Sequence, residues 1–188
     1  MNNSVAPQLT SSPAQIELWV LEAQAGDQQA IARLYQHFAK ALERYALLQC
    51  SNKELAFDAC QDSWESCCRK LKQLQDPAAF RAWIFRAVRN RITDLARKGL
   101  AEDQRKSHLE LEQEQHIAED RNHPLEEGLN LWKAVNALPL QERQCVYLFY
   151  QEEFSVKEIA LTLGIADGTV KSQLSRGREH LRSALSTL

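Results

Sequence analysis

No stretch of this chain stays apolar long enough to cross a membrane, which excludes an inserted helical protein. The start, Met1-Asn2-Asn3-Ser4, lacks the basic and apolar regions of a secretory signal, so a cytoplasmic location is expected. An excess of one charge is missing too. Lys and Arg number 23 against 25 Asp and Glu, a formal net charge of −2, which rules out a uniformly basic nucleic-acid coat but not local basic faces. None of the five cysteines forms a Cys-x-x-Cys pair, so the spacing of a zinc ribbon or a dithiol redox motif is absent. Cys60 and Cys67 instead share a helical face with Trp64 and Leu71, where cysteine behaves as a small buried hydrophobe. The five histidines are scattered among polar residues and read as surface side chains. No metal or cofactor is expected. Sustained apolar/polar alternation is also lacking, and with it any sign of a sheet.

What is present is helical periodicity. The pattern predicts an all-α protein of two small helical domains joined by an acidic linker, preceded by a loose polar tail over residues 1–14. Within 15–98, Ile16, Trp19, Val20 and Ala23 mark a first helix, and Gly26-Asp27 breaks and recaps the chain. Ile31, Leu34, Tyr35, Phe38, Leu42 and Tyr45 form the stripe of a second helix, and a third runs from about Leu55 to Leu74. Asp76-Pro77 starts a fourth, with aspartate as cap and proline in the first turn. Residues 99–124 are rich in Glu and Asp and poor in apolar residues, as a linker would be. Leu129, Trp132, Val135 and Leu138 then open a second helical domain over 125–188, and Pro139 ends its first helix.

The stretch from Ser155 to Arg182 reads as a helix-turn-helix. Ser155 and Glu158 have the spacing of a reciprocal capping box, and Ile159, Ala160 and Leu163 give the first helix its apolar face. Gly164 supplies the tight turn. A second helix from about Asp167 turns Val170, Leu174 and Leu181 inward. Lys171, Ser172, Gln173, Ser175 and Arg176 lie off that stripe, a set of donors and charges suited to the DNA major groove. An ordinary helical hairpin with a solvated basic face has the same pattern.

The fourth helix buries Phe80, Ile84, Ala87, Val88, Ile92 and Leu95. Arg86, Arg89, Asn90, Thr93 and Arg97 recur at spacings of three and four on another side, where arginines can hold phosphates and Asn or Thr can reach a base edge. Trp83 and Phe85 add aromatic surface of the kind on which unpaired bases stack. The third helix carries Asp58, Gln61, Asp62 and Glu65 away from its apolar stripe, a face that would pass as merely solvated if it stood alone.

Together these segments resemble extracytoplasmic-function sigma factors of the sigma-70 family. The run from Ala79 through Phe80, Trp83, Asn90 and Asp94 to Arg97 looks like that family's promoter-melting segment, and Asp58-Ala-Cys-Gln-Asp62 resembles its polymerase-docking helix. Ala137-Leu-Pro139, Glu158-Ile-Ala160, Gly168-Thr-Val-Lys-Ser172 and Arg176-Gly-Arg-Glu179 resemble its second domain, in the family's order. The resemblance implies a non-catalytic transcription factor whose partners are core RNA polymerase, promoter DNA and an anti-sigma factor. It implies docking on core polymerase through Asp58, Gln61 and Asp62. Arg86, Arg89, Asn90, Thr93 and Arg97 would recognise and open the −10 element, with Asn90 helping to hold a flipped base. Lys171, Ser172, Gln173, Ser175 and Arg176 would read the −35 element. Ala166 stands where the family often has proline or serine, so Asp167 is expected to cap the recognition helix. Gly177 replaces a common alanine, at a helix-propensity cost of up to about 1 kcal/mol.

Two other classes fit parts of the chain. A conventional helix-turn-helix regulator with an N-terminal sensing or dimerisation domain explains the C-terminal half, but not Asp58-x-x-Gln61 or the face from Arg86 to Arg97. An enzyme with a cysteine nucleophile such as Cys145 would need a base and an orienting partner, and none stands near it in sequence.

Overall fold

A computed structural model describes residues 11–50, 52–106 and 126–186. Among these the chain forms eight α-helices and two short 3-10 turns, with no strand. Helix α1 (Pro13–Gln24) starts where Ser12 accepts a hydrogen bond from the Gln15 amide and Pro13 takes the first helical position. Asp27 caps α2 (Gln28–Gln49), which buries Ala30, Leu34, Phe38, Leu42 and Tyr45 along one stripe. Tyr35 departs from that stripe: it is exposed and sits edge-on to Trp64. Asn52 caps α3 (Lys53–Lys70). The Gln24 amide donates to the carbonyls of Leu71 and Leu74 at 2.9 and 2.7 Å, tying α1 to the turn after α3. Asp76 then caps a 3-10 turn, Pro77–Ala79, that leads into α4 (Phe80–Lys106). Helix α4 does not stop at Gly99. Ala101, Glu102, Gln104, Arg105 and Lys106 are good helix formers and extend it into the acidic stretch, whose residues 107–124 lie outside the described residues.

The second half opens with α5 (Glu126–Asn136) and α6 (Leu140–Tyr150). In α7 (Val156–Leu163) both bonds of the Ser155/Glu158 capping box are present, and Gly164 ends the helix in the left-handed region at φ 66°. Helix α8 (Asp167–Leu185) crosses α6 at Gly177. A Cβ there would lie 2.7 Å from Val146 Cγ2, so the glycine reflects close helix approach rather than weak design. Gly177→Ala gains about 1 kcal/mol of propensity but forces a buried β-branched neighbour aside, which costs about 1–3 kcal/mol. A net loss of stability is expected, read as a lower urea midpoint at unchanged slope.

The two halves share one buried core. Tyr45 meets Tyr147 at 6.1 Å between ring centroids, and Phe85 meets Phe154 at 5.1 Å. Gln144 donates to Gln49 at 2.7 Å, and the Thr162 hydroxyl to the Ala82 carbonyl at 3.4 Å. The Arg81 guanidinium lies 4.1 Å from the centre of the Phe154 ring. One group at this seam is left unsatisfied: the Tyr45 hydroxyl is buried without a hydrogen-bond partner. Burying it unpaired costs about 1–3 kcal/mol. Tyr45→Phe is therefore expected to raise the thermal midpoint by about 2–4 °C, for a gain of about 1 kcal/mol.

Candidate nucleic-acid interface

On α4, Arg86, Asn90, Thr93 and Arg97 are exposed and Arg89 is half-buried. At 3.6 residues per turn they fall within about a third of the helix circumference, opposite Ile84, Val88 and Leu95. The spacing therefore produces one shared face. Thr93 spends its proton on the Arg89 carbonyl at 3.0 Å, leaving its oxygen as an acceptor. Arg97 stands 3.9 Å from Asp94, a loose surface pair that leaves the guanidinium available.

The aromatic neighbours behave differently from expectation. Phe85 is fully buried between Tyr45 and Phe154, so it cannot offer a ring to an unpaired base. Its side of α4 is covered by the second half of the chain. Trp83 is half-buried against Phe80.

On α8, Lys171, Ser172, Ser175 and Arg176 are exposed on the outward side, away from Val170, Leu174 and Leu181. Ser172 donates to the Thr169 carbonyl at 2.8 Å. Gln173 does not join them. It flanks the core stripe beside Leu174, half-buried, and its amide donates to Gln141 of α6 at 3.1 Å. Asp167 is not the cap either. The cap position is Ala166, which makes no side-chain bond, and Asp167 is the first helical residue, where its charge suits the positive end of the helix dipole.

The acidic face of α3 divides in the same way. Asp58 and Gln61 are exposed, and the Gln61 amide donates to Glu65 at 3.3 Å. Asp62 turns toward α4. Its Oδ2 accepts from both Nε and Nη2 of Arg91, at 2.7 and 2.5 Å. Sequence reasoning missed Arg91, because a partner 29 residues away leaves no local signal. It also missed Lys157, which with Arg86, Leu161, Gly164, Ile165 and Asp167 lines an open groove of about 520 Å³ between α4 and the helix-turn-helix.

The cysteines carry no visible reactivity. Cys145 is fully enclosed and burial pushes its thiol up to about 11, while Cys60 and Cys67 are pushed up to about 12 by the same cause. Thiols held so far into the protonated form make poor nucleophiles. Among the described residues no group of three or more His, Cys, Asp or Glu is placed to hold a metal, and no helix is long and apolar enough to cross a membrane. His37 is half-buried, contrary to its surface reading, between Trp19 and Phe38.

An exposed hydrogen-bonding helix behind a glycine turn, and a second helix with a basic and amide-bearing face, define a two-part helical DNA-binding protein. Comparison with known proteins narrows the class. Residues 34–100 match the family profile "Sigma-70 region 2", and residues 128–181 match "Sigma-70, region 4". The chain is 32% identical over 164 residues to the ECF RNA polymerase sigma factor SigM of Mycobacterium tuberculosis, covering 87% of this chain and 81% of the relative. It is 28% identical over 162 residues to the ECF RNA polymerase sigma factor RpoE of Cereibacter sphaeroides, covering 85% and 88%. Among solved structures, the sigma factor RpoE in complex with the anti-sigma factor NepR, from Bartonella quintana, superposes with a TM-score of 0.66 at 25% identity, over 82% of this chain and 96% of that one. CnrH in complex with the cytosolic domain of CnrY shares the fold, with a TM-score of 0.65 at 21% identity over 92% and 97%. The chain belongs to the extracytoplasmic-function sigma factors of the sigma-70 family. It is an alternative sigma factor that directs transcription initiation. A conventional helix-turn-helix regulator would leave the region 2 match unaccounted for.

Proposed function

We propose that the chain acts as a non-enzymatic, cytoplasmic promoter-specificity subunit with three separate surfaces. Asp58 and Gln61 on α3 dock core RNA polymerase. Arg86, Arg89, Asn90, Thr93 and Arg97 on α4 engage and open the −10 element. Lys171, Ser172, Ser175 and Arg176 on α8 read the −35 element, with Gln173 supporting the helix from its bond to Gln141. The observation that carries this reading is the pair of outward polar faces on α4 and α8, one in each matched region. An anti-sigma factor is the expected negative regulator, since the related RpoE is found in complex with the anti-sigma factor NepR.

The seam adds a requirement. Elements centred near −10 and −35 lie about 25 base pairs apart, or about 85 Å along the duplex at 3.4 Å per step. A compact chain of 188 residues has a radius of gyration of about 16 Å, so no two of its surfaces stand 85 Å apart. The packed arrangement cannot span both elements, so engaging a promoter requires the halves to separate.

The test is reconstituted transcription with core polymerase on genomic fragments, with start-site mapping. Asp58→Lys is expected to weaken core binding at least several-fold while circular dichroism stays unchanged, since the residue is exposed. Unchanged affinity would remove α3 as the docking helix. If Arg176 contacts a base, Arg176→Ala costs about 1–3 kcal/mol at one promoter position; if it contacts a phosphate, affinity falls evenly and the salt slope flattens. No effect of either kind would show that α8 is not the reading helix.

A further inference from the structure

Asp62 is placed differently from Asp58 and Gln61, although all three lie on one stretch of α3. It occupies the flank of the helix that packs on α4, with its side chain 43% exposed, and both donors of Arg91 converge on its Oδ2. Arg91 is 33% exposed and follows Asn90 directly. A forked guanidinium fixes its partner in direction as well as in distance, which a lone ammonium does not. On the opposite side of α4, Arg86, Asn90, Thr93 and Arg97 point to solvent. The ion pair therefore joins the helix that meets polymerase to the helix that meets DNA, at the level of the residue proposed to hold a base.

We infer that Asp62 is a positioning residue for promoter melting and not a polymerase contact. Through Arg91 it sets the rotation of α4, and so the aim of Asn90, relative to a docked α3. This rests on the reading of α3 as the docking helix and α4 as the melting helix. A base taken out of the stack needs its contacts within a few tenths of an ångström, because an amide at the wrong angle returns little of the unstacking cost. Core binding does not need that precision in α4, since Asp58 and Gln61 are displayed by α3 itself. Docking and melting should therefore separate on substitution.

The experiment uses the full chain with core polymerase, on a promoter chosen by the wild-type holoenzyme. Asp62→Asn and Arg91→Gln keep shape and remove the charge. The exchange Asp62→Arg with Arg91→Asp restores the pair in reverse. Core affinity is read by fluorescence anisotropy, and open-complex formation by permanganate reactivity of unpaired thymines. Each single variant is expected to keep core affinity within about twofold and to slow open-complex formation about fivefold, the scale of one partly exposed pair. The exchange is expected to recover most of that loss, which general damage to α4 would not allow. Reduced core affinity in Asp62→Asn would make Asp62 a polymerase contact and overturn the inference. Normal melting in both single variants, or a melting defect that the exchange leaves unrepaired, would overturn it as well. A wild-type chain that fails to bind core polymerase would instead remove the docking reading beneath it, so the two failures are distinct.

Discussion

Replacing Phe154 with alanine is expected to lower the stability of the folded chain by about 3–5 kcal/mol. The ring is 1% exposed and occupies the loop between α6 and α7, with the backbone held by a bond from its amide to the Leu148 carbonyl at 2.9 Å. Phe85 packs against one side of the ring, and Arg81 covers it at 4.1 Å. Removing the ring opens a cavity bounded by Phe85. It also deprives Arg81, a half-buried cation whose pKa is lowered by burial, of the aromatic ring it rests on. Urea unfolding measures the loss. Because Phe154 also packs within its own half, the informative quantity is its coupling to Phe85. If the halves are packed in solution, Phe85→Ala and Phe154→Ala are non-additive by about 0.5–3 kcal/mol. Strict additivity would mean that the seam does not persist in the free protein.

The second large effect concerns melting. Asn90→Ala is expected to leave folding, core binding and −35 recognition nearly unchanged, because the side chain is exposed and surface changes typically stay within about 0.5 kcal/mol. Open-complex formation should fall about tenfold or more, the scale of an amide contact worth about 1–3 kcal/mol. Asparagine offers both a donor and an acceptor to an extruded base, and alanine offers neither. A template already mismatched over the −10 element removes the opening cost but not the lost contact, so partial rescue is expected. Normal melting of duplex promoter by the variant would remove Asn90 from the base-holding role and leave the family assignment standing.

Signals were strong where they rested on residues close together in sequence. The Ser155/Glu158 box, the Gly164 turn and the stripe Val170, Leu174, Leu181 could all be read along the chain, because each depends on residues within a few positions. The reading failed where a segment distant in sequence covered a residue off the first apolar stripe. Helix α4 packs on α3 with one side and on α7 with another, so Phe85 lay off the expected stripe and still ended up enclosed. Period alone tells which residues leave the first core, not whether a later segment covers them. Gln173 and Asp62 have intramolecular partners that the sequence did not show: each is polar and off the apolar line, and each is bonded to a residue on another helix, at 32 and 29 residues' distance. Asp167 failed on a single-residue boundary, since the helix begins one position earlier than a capping role for aspartate requires. The seam had no sequence signature, because nothing along the chain pairs Tyr45 with Tyr147 or Phe85 with Phe154 until both halves are folded.

The seam also gives holoenzyme assembly its own clock. If the halves must part before both promoter elements can be reached, the observed assembly rate cannot grow indefinitely with polymerase concentration. It levels off at the rate of an internal first-order opening step. Apparent affinity is likewise diluted by the fraction of molecules already open. The unpaired hydroxyl of Tyr45 raises that fraction by weakening the packed form. A single buried oxygen thus bears on how quickly a cell could turn a pool of this protein into transcription.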